Sequence, residues 1–106
     1  MRFNQASMYI VIFKAKIKQL DSTYSEMAQK LRNRALSQFN CAKFEACSEN
    51  GFEIALSYWN SLEDIKHWQQ DAEHQVAQHL GKEKWYQDFS VEICKVERAY
   101  SSQNGL

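Results

Sequence analysis

Residues 52–68 read FEIALSYWNSLEDIKHW, and this stretch combines the pattern of a strand with the start of a helix. Over residues 52–59 both faces are apolar, with Phe52, Ile54, Leu56 and Tyr58 on one and Ala55, Ser57 and Trp59 on the other. Ser61 predicts an N-cap, and Asp64 three residues later forms a looser version of the capping box. The helix that follows has one apolar face, Leu62, Ile65, Trp68, Ala72 and Val76, and its pattern ends at Gly81.

A strand and a helix also precede this stretch. Residues 8–18 predict a strand with Tyr9, Val11, Phe13, Ala15 and Ile17 on one face and Ile10 and Ile12 on the other. The next apolar set has helical spacing, with Asp21 or Ser22 as the cap: Tyr24, Met27, Ala28, Leu31, Ala35 and Phe39. The short segment Cys41 to Cys47 precedes Ser48-Glu49-Asn50-Gly51, which is typical of a turn between antiparallel strands.

The chain closes with a long last strand, predicted from Trp85 to Tyr100, with Phe89, Val91 and Ile93 on one side. The element order is therefore βαββαβ, an α+β, ferredoxin-like arrangement with a four-stranded antiparallel sheet. Its first and third strands lie at the centre. We expect a single domain over residues 1–106, with an ordered core of about 8–100 and short flexible tails.

Two helices can cover only one side of this sheet, and the other side carries a row of large apolar residues. Such a surface needs a cover, and a second copy of the same sheet related by a two-fold axis supplies one. The sequence predicts a homodimer that forms through the open face of the sheet.

Composition excludes several classes of function. The chain has 13 basic and 13 acidic residues, so its charge favours neither nucleic acid nor an anionic membrane, and no apolar run is long enough to span a bilayer. Neither the cysteines nor the histidines have the spacing of a metal site, and no glycine-rich phosphate loop is present. We interpret Cys41, Cys47 and Cys94 as buried free thiols, which favour the cytoplasm.

The sequence resembles the antibiotic biosynthesis monooxygenases, a family of dimeric α/β barrels. In residues 57–68 a strand ends in Trp59, a helix begins with a serine and acidic residues, and Trp68 follows nine residues after the first tryptophan. Residues 72–74, 81–86 and 96–100 also resemble one subgroup of these domains. The likeness runs from about Tyr9 to Tyr100.

The resemblance implies a monooxygenase that oxidises aromatic compounds without a flavin or a dedicated metal, in a pocket between the helices and the sheet. One branch of the family degrades haem, and Trp68 aligns with its pocket tryptophan. That branch has an asparagine where this chain has Phe13, and a haem-ligating histidine where it has Gln78, next to His79. These departures argue against haem degradation by that arrangement.

The resemblance assigns catalytic roles to His74 and Trp68, although both residues also have structural interpretations. Trp68 lies on the apolar helix face and is either core packing or a pocket wall. On one continuous helix His74 points to solvent and His79 points inward with Trp68. A break near Asp71, which is a plausible second cap, would turn His74 towards the pocket; otherwise it is a surface histidine.

The predicted substrate pocket is completed by Trp59, Phe13, Tyr86, Trp85 and His79. Trp59 ends a strand and is also a natural core residue, and Trp85 and Tyr86 are alternatively dimer contacts. We expect an oxygenase that needs no cofactor and acts on a small phenol or quinol, with His74 as base or hydrogen-bond partner. The alternatives are a ligand-binding or stress-response module on the same fold and, third, a haem-binding protein.

Overall fold

A computed structural model of the chain describes residues 7–17, 22–80 and 86–102. Its elements in chain order are β1 (Tyr9–Ile17), α1 (Ser22–Gln38), β2 (Lys43–Glu49), β3 (Phe52–Trp59), α2 (Leu62–Leu80) and β4 (Tyr86–Lys95). The four strands form one antiparallel sheet in the order β2-β3-β1-β4. The predicted βαββαβ arrangement with β1 and β3 at the centre is confirmed.

The last strand is shorter than expected, because β4 ends at Lys95 and residues 96–100 have no regular structure. The backbone amide of Val96 still donates to the carbonyl of Met8 at 2.9 Å, which closes the ladder between β4 and β1. The predicted flexible tails lie largely outside the described residues.

The turn between β2 and β3 consists of Asn50 and Gly51, both with positive φ, at 54° and 82°. Two such residues match the right-handed twist of a hairpin, which explains why an Asn-Gly pair stands here. The Gly51 carbonyl also accepts a hydrogen bond from the Ile17 amide at 2.8 Å, so the turn is tied to the end of β1.

The strand register divides the sheet into two faces. The helix face contains Val11 and Ala15 of β1 and Ala55, Ser57 and Trp59 of β3, all of which are buried. The main core joins Val11 and Trp59 to Ala35 of α1 and Ile65 of α2. A second cluster, Tyr24 and Met27 with Ile17, Leu31 and Val76, packs the other ends of the helices together.

The opposite, open face carries the alternate residues of the same strands. Its centre contains Ile10, Ile12, Ile54, Leu56 and Tyr58, and Phe52 at one end is 52% exposed. Neither helix lies on this face, as expected for a two-layer domain with helices on one side.

Helix α2 is continuous through residues 70–72, so the predicted break near Asp71 is wrong. Its start is as expected, because the Ser61 hydroxyl accepts a hydrogen bond from the Asp64 amide at 3.0 Å. Asp71 caps nothing and instead forms an ion pair with Arg34 of α1. Within the described part of the chain, no helix has the length and apolar character needed to cross a membrane.

Candidate functional site

Two of the predicted site residues, Trp59 and Trp68, are in contact between the sheet and α2. Their ring centroids are 5.4 Å apart, and Phe44 of β2 meets Trp68 edge-on at 6.0 Å. Trp59 is fully buried, and its Nε1–H donates to the Ser57 hydroxyl at 2.8 Å. Trp59 is therefore a core residue whose polar atom is already satisfied.

Trp68 is partly buried in the same cluster. Its Nε1–H donates to the backbone carbonyl of Leu31 on α1 at 3.2 Å, so the indole connects α1, α2 and the sheet. Since this N–H is engaged, Trp68 can offer a ligand its ring face or edge but no free donor.

His74 is exposed on α2, as expected for a continuous helix. It follows Trp68 by six residues, which on a helix of 3.6 residues per turn places the two side chains on different sides. The structure therefore does not bring these two predicted catalytic residues together.

Phe13 lies on the helix face beside β4, where the helices leave the sheet uncovered. Its ring stacks with Phe89 at a centroid distance of 6.0 Å. On the same face of β4, Phe89 is 63% exposed, Val91 40% and Ile93 46%. We call these four residues the β4 wall. The sequence pattern placed the three β4 residues on one strand face but did not show that the face would be accessible.

Glu53 is a carboxylate on the helix face that sequence reasoning passed over. It shares its side of β3 with Ala55, Ser57 and Trp59, and it stands opposite Ala15 of β1. Its Oε1 atom is buried and has no hydrogen-bond partner among the described residues, and burial raises the pKa of this carboxyl. The sequence did contain a signal for this residue: Glu53 alternates with the inward-facing residues of a central strand, and acidic residues are rarely buried there without a partner.

The cysteines only partly match the prediction. Cys41 is buried, its thiol donates to the Lys43 carbonyl at 3.2 Å, and burial raises its pKa. Cys47 and Cys94 are exposed, so the expectation of three buried thiols is wrong for these two. Both lie towards the edges of the open face, opposite Ile54 and Ile10.

The remaining predicted pocket residues cannot be placed in this arrangement. Trp85 and the side chains of Tyr86 and His79 lie outside the described residues. Among the residues described, no three histidine, cysteine or acidic side chains come together as a metal site. The described site thus has two parts, the tryptophan pair under the helices and the β4 wall with Glu53.

Comparison with known proteins relates the chain to one family and one fold. No family model matches it. The uncharacterized protein YqjZ of Bacillus subtilis (strain 168) is 35% identical over 91 residues, which are 85% of this chain and 80% of YqjZ.

Solved structures share the fold at much lower sequence identity. A protein of the antibiotic biosynthesis monooxygenase type from Caulobacter crescentus CB15 superimposes with a TM-score of 0.71, at 13% identity over 88% of this chain and 92% of that one. SnoaB, a cofactor-independent oxygenase from Streptomyces nogalater, has a TM-score of 0.64 at 8% identity, over 91% of this chain and 97% of SnoaB.

Proposed function

Because the chain belongs to the same family as YqjZ and has the fold of the antibiotic biosynthesis monooxygenases, we propose that it is a monooxygenase for small hydroxylated aromatic compounds that uses no cofactor. SnoaB, which has the same fold, is a cofactor-independent oxygenase. The fold alone does not specify a substrate, so the substrate class must come from the residues of this chain.

The observation that carries the proposal is the β4 wall. The exposed side chains of Phe89, Val91 and Ile93, with the half-buried Phe13 stacked on Phe89, form an apolar surface on the helix side of the sheet. Accessible apolar patches of this kind mark binding sites, and aromatic rings bind other rings by offset or edge contacts. A phenol or quinol would have its ring against Phe13 and Phe89.

The reaction uses the substrate as its own reductant. 1-Naphthol and O2 give 1,4-naphthoquinone and water, with one oxygen atom entering the ring and the other leaving as water. The protein contributes by orienting the ring and by favouring loss of the hydroxyl proton, after which electrons pass from the substrate to O2. Trp68 and His74 stay predictions as catalytic residues, and both lie away from the β4 wall: Trp68 contacts Phe44 of β2 and Trp59 of β3, and His74 is exposed on α2.

We also propose that the working form is a homodimer joined through the open face. Besides its apolar centre, this face has Lys14 and Lys16 on β1 and acidic residues on the outer strands, Glu45, Glu49, Asp88 and Glu92. A two-fold related copy can therefore cover apolar residues with apolar residues and place lysines near carboxylates. Three free thiols support a location in the reducing cytoplasm.

The experiment is oxygen uptake and quinone formation with 1-naphthol, using the Phe89→Ala variant and the matched Leu36→Ala variant. Both residues are large and exposed, at 63% and 40%, so neither change should unfold the protein. We expect uptake in the wild type and in Leu36→Ala, and a loss of tenfold or more in Phe89→Ala. Naphthol binding without oxygen uptake would instead support the ligand-binding alternative.

A further inference from the structure

Glu53 is an energetic anomaly in the helix face of the sheet. A buried carboxylate oxygen without a hydrogen-bond partner destabilises the folded state, because water no longer solvates it and nothing replaces the water. Its neighbours on the same side of β3 are buried and satisfied, as shown by Ser57, whose hydroxyl accepts the Trp59 indole N–H. A costly group that the fold does not use is a candidate for ligand recognition.

The strand register places Glu53 in line with the β4 wall. Ser48, Glu53, Ala15 and Phe89 form one row across β2, β3, β1 and β4. Glu53 and Phe89 are thus two strand spacings apart, about 10 Å between backbones, and Ala15, which has a small side chain, is the residue of β1 between them in this row. Phe13 is the next residue on the helix face of β1.

This geometry describes a ring site with one polar end. An aromatic ring over Ala15 would contact Phe13 and Phe89 on one side and reach the Glu53 carboxylate on the other. Ala15 is 2% exposed, so a ligand enters by moving the side chains that now cover it. Side-chain rotamer changes of this kind are common when a partner binds.

The electrostatics favour a neutral donor as the partner of Glu53. Burial is the sole cause of the raised pKa of its carboxyl, so no described charged group compensates it. The row around it contains a serine, an alanine and a phenylalanine and no positive charge. An apolar ring with one hydroxyl group meets both requirements, because the hydroxyl can donate a hydrogen bond to the carboxylate while the ring contacts the β4 wall.

We propose that the Glu53 carboxylate accepts a hydrogen bond from the hydroxyl of the bound aromatic and thereby selects hydroxylated rings. This inference rests on the proposed function and adds a specificity-determining residue to it. A charge-assisted O–H···O⁻ bond in a site shielded from water is strong. It also pushes electron density into the ring, which favours electron transfer to O2.

The test is calorimetric titration at about pH 8, well above the ordinary glutamate pKa of about 4.3. The two probes are 1-naphthol and 1-methoxynaphthalene, which lacks the hydroxyl proton. The proteins are the wild type, Glu53→Gln, Glu53→Met and the control Glu26→Gln on the exposed surface of α1. Melting curves of all four show that each variant is folded.

We expect the wild type and Glu26→Gln to prefer naphthol over its methyl ether by about tenfold or more, the usual effect of one charged hydrogen bond. Glu53→Gln should reduce this preference, and Glu53→Met should abolish it while keeping affinity for the ether. Naphthol binding with a preference that all Glu53 variants retain would overturn this inference and leave the proposed function standing. A wild type that binds neither probe and consumes no oxygen would overturn both.

Discussion

Arg34 of α1 and Asp71 of α2 are joined by two parallel hydrogen bonds, from Nε to Oδ2 at 2.7 Å and from Nη2 to Oδ1 at 2.8 Å. The side chains are 26% and 15% exposed, so this is a partly shielded, bidentate pair between the two helices. A second contact lies one turn earlier on both helices, where the Trp68 indole N–H of α2 donates to the Leu31 carbonyl of α1. Together these contacts fix α2 against α1.

The ion pair makes a prediction about acid stability. The hydrogen bond from Arg34 is the main cause that holds the pKa of Asp71 below its usual value. The pair's stabilisation is therefore complete above the unfolded aspartate pKa of about 3.9 and is lost as the pH falls through the lower, folded pKa. At pH 7 the decreases in melting temperature of Arg34→Ala and Asp71→Ala should not add up in the double variant, because each single change already breaks the ion pair. This non-additivity should disappear as the pH falls through the folded pKa of Asp71. Strictly additive effects at pH 7 would show that the pair contributes nothing.

The two tryptophans should differ in their contributions to stability. Trp68→Ala is expected to lower the free energy of unfolding by about 3 kcal/mol, and the fully buried Trp59→Ala by more, towards about 5 kcal/mol. Trp68→Phe keeps most of the apolar contact but removes the hydrogen bond to the Leu31 carbonyl, which should lower the free energy of unfolding by about 1 kcal/mol. Urea denaturation measures all three. A Trp68→Ala variant of unchanged stability that no longer binds 1-naphthol would identify Trp68 as a pocket wall.

Glu53 should destabilise the ligand-free protein at neutral pH. Because its folded pKa is raised, the unfolded chain loses this proton first as the pH rises from about 4.3, and stability falls until the folded pKa is passed. Glu53→Gln carries no charge and should match the wild type near pH 4 and melt at a higher temperature at pH 7. Glu26→Gln is the control. A Glu53→Gln variant that melts lower at pH 7 would mean that the carboxylate has a stabilising partner.

The homodimer can be tested by placing a charge at the centre of the open face. Leu56 is flanked by Ile12 on one side and Glu45 on the other, so Leu56→Glu would bury an uncompensated carboxylate in the interface. Light scattering should give twice the chain mass for the wild type and the chain mass for this variant. Glu26→Gln should remain dimeric. A monomeric wild type at micromolar concentration would contradict the proposed interface.

The sequence predicted the elements well because their signals are local. Alternating apolar residues defined β3 from Phe52 to Trp59, and the Asn50-Gly51 pair and the Ser61 cap defined its two boundaries. Antiparallel topology followed from the order of the elements, since few arrangements of βαββαβ are compact.

The errors concern residues whose role depends on distant partners. Asp71 was interpreted as a helix cap because a cap is predicted from the residues adjacent in sequence. Its actual partner, Arg34, is 37 residues away and gives no local signal. Whether Cys47 and Cys94 are buried depends on which face the helices cover, and the accessibility of Phe89 depends on how far α2 extends over β4. Glu53 was missed because the sequence does not show whether a carboxylate in an apolar strand has a hydrogen-bond partner. Only the structure shows that its Oε1 atom has none among the described residues.

The most direct test of the monooxygenase proposal is incubation of the purified protein with 1-naphthol under heavy-isotope-labelled O2, followed by mass spectrometry of the quinone. Heat-denatured protein measures the spontaneous reaction. The proposal predicts one labelled oxygen atom in each 1,4-naphthoquinone, formed above the denatured background and in proportion to protein concentration. Product formed at the background rate, or quinone whose new oxygen comes from water, would contradict it.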